Sequence, residues 1–218
     1  MPVQDAFQSN VYVRLATHES TLEMGSGTKE DPHTSAWNYI GMIEHTGTHV
    51  DAFYHMNPNG ATIDNMPLDM FFGKAVCLDL SHIPDLGKIE VADMEEAERK
   101  AGVEIDGHIV LMHTGLHNRH FPSKKIFEVN PGLTAGATHW LADKGSKLHG
   151  IEGPSTDILS ENLFPSHRVC RDRGMTHYEW LVNLEELINK GEFMFYGVPL
   201  YLHEGTGSPV RAFAIVNE

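Results

Sequence analysis

Apolar residues recur along this chain in short alternating or continuous runs, and those runs predict its elements. Val11-Tyr12-Val13-Arg14-Leu15 reads as a strand, and Trp37, Tyr39 and Ile40 open a second extended segment that runs on towards residue 45. Between them residues 17–33 are polar and Gly-rich without a sustained period, which predicts a long loop or lid. Pro67, at the head of an apolar run, fits the first turn of a short helix, and Ala75 to Leu80 is uninterrupted enough to be a buried strand. Ala92 to Ala101 is predicted as a helix, acidic at its start, basic at its end and closed by Gly102.

Farther on, His108 to Thr114 reads as a central strand, Gly132 to Lys144 as an amphipathic helix ended by Gly145, and Leu148 to Gly153 as a strand leading to a turn. Phe193 to Leu200 and Val210 to Val216 read as a terminal pair of strands joined through residues 205–209. Strands alternating with helices predict a mixed α/β layered fold. With no linker, composition shift or internal repeat, residues 1–218 are expected to form a single domain.

One stretch stands apart chemically: His45-Thr46-Gly47-Thr48-His49-Val50-Asp51-Ala52-Phe53-Tyr54-His55. In an extended strand alternate residues share a face, so His45, His49, Asp51 and His55 are expected to point into one cleft. Any one of these histidines reads equally well as a packed or surface residue. Four such groups on one face are different, because burying them unpaired is costly. Neutral imidazoles with a carboxylate suit zinc or manganese better than calcium or magnesium. His113, His117 and His120 form another histidine set, but Gly115 and Asn118 take the chain into a loop where the three need not converge.

Composition narrows the partners. A net charge of −14 repels phosphate backbones, so nucleic acid is not expected as a partner. No run is long enough for a membrane-spanning helix, and residues 1–10 lack signal-peptide character, so the expected location is the cytoplasm. Two cysteines, Cys77 and Cys170, are too few for a disulfide framework.

The pattern His-x-Gly-Thr-His-x-Asp-x-x-x-His at residues 45–55 resembles the signature of the metal-dependent cyclase family, which includes bacterial kynurenine formamidases (arylformamidases) and isatin hydrolases. Further landmarks look similar: Asp79-Leu80-Ser81, Gly107 to Leu111, Pro154-Ser155-Thr156-Asp157 and Gly207 to Ala212. The resemblance implies a swivelling β/β/α fold, a homodimer or homotetramer, and hydrolysis of a small-molecule amide or lactam at one or two Zn2+ or Mn2+ ions per chain. It implies that His45, His49 and Asp51 bind one metal and that His55 donates and accepts the proton. His167, with Glu179 twelve residues beyond it, matches the pair that completes a second metal position in the formamidases, and His177 competes for that role.

Two departures from the family concern the substrate. No Trp-Pro-Gly-Asp-like segment precedes Trp37, and the usual Gly-Ile-Asp-Thr-Pro turn reads Gly150-Ile151-Glu152-Gly153-Pro154, which is expected to change a wall of the pocket. The same site could act on an ester as a lactone hydrolase. A non-catalytic metal-binding protein, with His55 as a further ligand, is the other alternative.

Overall fold

The structure, a computed structural model, describes residues 10–25, 27–28 and 30–216. The reading of the first ten residues as free of a signal peptide falls, apart from Asn10, outside the described residues. No helix among the described residues is long and apolar enough to cross a membrane.

The chain forms two compact units that divide between Ile43 and Glu44. In the first, β1 (Val11–Ala16) pairs antiparallel with β2 (Trp37–Gly41), as their apolar character predicts. The connection is not wholly a loop. Thr17 caps a short helix, α1 (His18–Glu23), through a reciprocal capping box with Ser20, a local signal that the search for a sustained period overlooks.

The second unit begins with β3 (His49–Asp51), α2 (Phe53–Met56), β4 (Phe72–Asp79), β5 (Lys88–Ile89), α3 (Val91–Ala101) and β6 (Ile109–His113). It continues through α4 (Leu116–His120), α5 (Ile126–Val129), β7 (Gly132–Leu133), α6 (Ala135–Asp143) and β8 (Leu148–Ile151). α7 (Pro165–Arg173), β9 (Thr176–Glu179), β10 (Phe193–Tyr196), β11 (Gly207–Pro209) and β12 (Phe213–Ile215) complete it.

An eight-stranded mixed sheet in the order β11-β3-β9-β8-β6-β4-β10-β12 carries this unit, with β9, β8, β6 and β4 parallel and the outer strands antiparallel. β6 and β8 are buried throughout, the expected state of parallel strands covered on both faces. Alternation on β4 divides its side chains between two cores. Val76 and Leu78 join Met94, Ala97, Ala137 and Leu141 of α3 and α6, while Ala75 and Cys77 join Tyr178, Phe193 and Phe195.

The terminal strands do pair, β10 with β12, but residues 205–209 are not a simple turn between them. They cross to the opposite edge of the sheet as β11, beside β3, because β3 carries an open edge that β11 satisfies. Residues 165–173, which the sequence presents only as a mixed-polarity stretch, are α7, with Pro165 in its first turn and Gly174 in left-handed conformation at its end.

Candidate metal centre

His45, His49, Asp51 and His55 converge, but not from one strand. Only His49 and Asp51 share a face of β3; His45 lies in the preceding turn and His55 on α2. The turn forms because Gly47 adopts φ +67°, a conformation glycine takes without steric cost, and its carbonyl then accepts a hydrogen bond from His49 Nδ1 at 2.7 Å. Antiparallel pairing brings β9 alongside. His49 registers with Glu179, and two residues along the pair Asp51 lies beside His177, so four ionisable side chains from two strands occupy one face. His167, on the first turns of α7, adds a fifth group facing the same carboxylates.

Asp51 is the hub. Its Oδ1 lies 2.8 Å from His45 Nδ1 and 3.4 Å from His49 Nε2, whereas Oδ2 lies 3.2 Å from His177 Nε2, 3.7 Å from His55 Nε2 and 3.8 Å from His167 Nε2. Glu179 is a second hub, with Oε2 at 3.5 Å from His49 Nε2 and Oε1 at 3.4 Å from His177 Nε2. The centre of the cluster sits deep in the protein: His49 and Asp51 are 1% exposed and His177 0%.

The outer partners fix which ring nitrogen carries hydrogen. The Gly47 carbonyl can only accept, so His49 holds its proton on Nδ1 and turns a bare Nε2 inward. Thr206 donates its hydroxyl to Glu44 at 2.6 Å, leaving its oxygen to accept from His45 Nε2 at 3.0 Å. The buried Asp157 accepts from His167 Nδ1 and from the backbone amides of Ser166 and His167, which both caps α7 and bares His167 Nε2.

In this tautomer the lone pairs of His49 and His167 face carboxylate oxygens, acceptor against acceptor. His49 Nε2, Asp51 Oδ1 and His177 Nε2 are buried without a well-formed hydrogen bond. A cation relieves that arrangement, and the separations bracket the roughly 3.3 Å between ligands of a tetrahedral ion with bonds of about 2.0–2.1 Å. The residues present thus fit a divalent metal.

The same carboxylates also favour protonated imidazoles, so protons and a cation compete for this cluster. Burial opposes charge on Asp51, yet His177, His45 and His49 hold its carboxyl well below the usual carboxylate range. Burial likewise opposes charge on His177 and His49, but Asp51 and its neighbours raise both, His177 strongly. His55 goes the other way: loss of hydration, helped by His45 and His167, outweighs Asp51 and Glu179 and lowers it. Its side chain is 39% exposed, at a cleft of about 280 Å³ lined by Met56, Phe164, His167, Arg168 and Arg171.

The other histidine set does not converge. His113 bonds Glu152, His120 bonds Asp85, and His117 stacks on Phe121. Glu152 is fully buried, and its carboxylate is taken up by His113, Thr114 and Gly115. Sequence reasoning gave no role to Asp157, Thr206 or Glu44. Asp157 and Gly207 lie within stretches that resemble landmarks of the family pattern, but the partners they serve are distant in the chain.

The Cyclase family model matches residues 5–158. The kynurenine formamidase of Bacillus cereus is 30% identical over 187 residues, covering 86% of this chain and 83% of that protein. This chain belongs to the cyclase family. An isatin hydrolase solved with the product analogue thioisatinate matches with a TM-score of 0.80 at 24% identity, over 96% of this chain and 82% of that one. Isatin hydrolase A of Ralstonia solanacearum matches with a TM-score of 0.82 at 23% identity, over 100% and 86%. The mixed α/β arrangement is therefore the cyclase fold.

Proposed function

We propose that this protein is a metal-dependent amidohydrolase that cleaves the C–N bond of an aryl formamide or a lactam, with Zn2+ or Mn2+ as the metal. The observation that carries this reading is the set of buried, unsatisfied atoms His49 Nε2, Asp51 Oδ1 and His177 Nε2, beside an exposed histidine and a cleft. His45, His49 and Asp51 would hold one ion, and His167 and Glu179, with Asp51 between, a second. When bound, the metal supplies Lewis acidity to a carbonyl and lowers the pKa of water to about 7.

His55 supplies the proton traffic. Held below its ordinary pKa, it is neutral near pH 7, accepts a proton from the attacking water and returns it to the leaving nitrogen. Met56 and Phe164 offer an apolar wall for an aromatic ring, and Arg168 and Arg171 a cationic rim for the carboxylate or carbonyl beside it. A cleft of about 280 Å³ suits a small substrate. The first unit exposes Tyr12, Leu15, Tyr39 and Ile40, which supports assembly as a homodimer or homotetramer.

The test is a panel of N-formyl anilines, isatin and aryl lactones on protein stripped by chelator and reloaded with Zn2+ or Mn2+. Activity should vanish on stripping and return with metal, on the amide or the lactam. Turnover only of lactones would move the assignment to ester hydrolysis. Absence of turnover despite bound metal would favour metal storage, and full activity in metal-free protein would sink the proposal.

A further inference from the structure

His177 stands closer to both carboxylates than His167 does, and no role as a ligand follows for it from the signature at residues 45–55. Its Nε2 lies 3.2 Å from Asp51 Oδ2 and 3.4 Å from Glu179 Oε1, against 3.8 and 4.0 Å for His167 Nε2. The ring is 0% exposed, and its Nε2 has no hydrogen bond among the described residues. Ligand atoms of Asp51, His167, His177 and Glu179 all lie within 4.8 Å of one another. The far edge of the ring meets the buried His149 and Cys170, so no solvent reaches it from behind.

Resting on the metal-dependent reading above, we infer that His177 is itself a metal ligand, completing with Asp51, His167 and Glu179 a four-donor position. Two imidazoles and two carboxylates are a donor set suited to zinc, and four protein ligands are the mark of a structural rather than an open site. The period of two along β9 produces this arrangement: residue 177 falls on the same face as Glu179, opposite Asp51 across the strand pair.

Asp51 then serves both positions, Oδ2 to this one and Oδ1 to His45 and His49. The division of labour follows. The four-donor position would hold Asp51 and the β3–β9 pair in place, while the His45–His49 position, with three protein ligands, would leave a coordination place for water or substrate next to His55.

Cobalt provides the test, since Co2+ alone can be loaded into the stripped full-length protein and reports each bound histidine through a hyperfine-shifted ring N–H signal. Four shifted ring N–H signals and two equivalents of metal are expected, from His45, His49, His167 and His177. His177→Gln should remove one signal and weaken one equivalent by more than the roughly 10- to 100-fold that loss of an outer-shell partner costs. The inference is overturned if the native protein shows three signals or fewer, a count that decides the matter even where the variant does not fold. It is equally overturned if the variant's spectrum and stoichiometry match the native ones, which would leave the proposed activity standing. No cobalt uptake by the native protein would overturn both.

Discussion

Asp51 and His55 are four residues apart, yet their surroundings push them in opposite directions: the carboxyl is held ionised by three imidazoles and the imidazole is held neutral by the cleft. A ligand should keep its lone pairs available, and a proton carrier should titrate near working pH. His55→Gln tests the separation. Metal content should hold while kcat and kcat/KM fall together by about 10²- to 10⁴-fold, because glutamine cannot cycle a proton. In the native enzyme kcat/KM should decline as pH falls through a value below the ordinary 6.5, where His55 gains its proton and ceases to be a base. Loss of metal in the variant would make His55 a ligand. Glu152 carries a different residue-scale prediction. It is fully buried and receives bonds from His113 Nδ1 at 3.0 Å, Thr114 N at 2.7 Å, Thr114 Oγ1 at 3.0 Å and Gly115 N at 2.5 Å. Glu152→Ala strands these donors and should cost about 3–5 kcal/mol in urea unfolding, with metal content unchanged in the folded fraction; a cost below about 1 kcal/mol would mean that the donors find other partners.

At the scale of elements, β11 matters more than its three residues suggest. It covers the open edge of β3 and brings Thr206 and Gly207 against His45. A Cβ on Gly207 would fall 2.8 Å from His45 Cε1 and 2.9 Å from the Val50 carbonyl, so Gly207→Ala must displace the imidazole or the strand. Its metal affinity should drop about 10- to 100-fold, comparable to loss of an outer-shell partner, as titration with a competing chelator would measure; unchanged affinity would show that His45 is not a ligand. This contact marks where sequence reading runs out. The strands at 75–80 and 108–114 and the helix ending at Gly102 were legible because a buried parallel strand and a capped amphipathic helix carry their signal locally. The convergence of His45 to His55 was legible as a motif, but the single-strand geometry was not, because Gly47 and the short α2 redirect the chain. β11 was hidden because its partner strand lies over 150 residues away, and α7 because its apolar face is narrow. His177 carried a readable cue, two residues before Glu179, but only the strand pairing shows that both face Asp51.

For the whole molecule, the proposed metal cluster would act as a cross-link. Its side chains come from the turn before β3, from β3 itself, and from β9 and α7. In the unfolded chain these ligands are dispersed over more than 130 positions, so no comparable site exists there and binding energy becomes folding energy. The net charge of −14 adds a general attraction for cations and a self-repulsion that bound metal relieves locally. At free metal about 1,000 times the dissociation constant, binding to the folded state alone contributes roughly 4 kcal/mol. For a chain of this size each kcal/mol moves Tm by about 2–4 °C. Loading the stripped protein with Zn2+ should therefore raise Tm on the order of 8–16 °C in scanning calorimetry. The increment should shrink in Asp51→Asn, which serves every ligand group, and should persist in His55→Gln, whose side chain stands at the cleft and carries a proton instead. An equal rise in both variants would mean that zinc acts elsewhere on this acidic surface, and no rise in the native protein would mean that the cluster holds together by hydrogen bonds and protons alone.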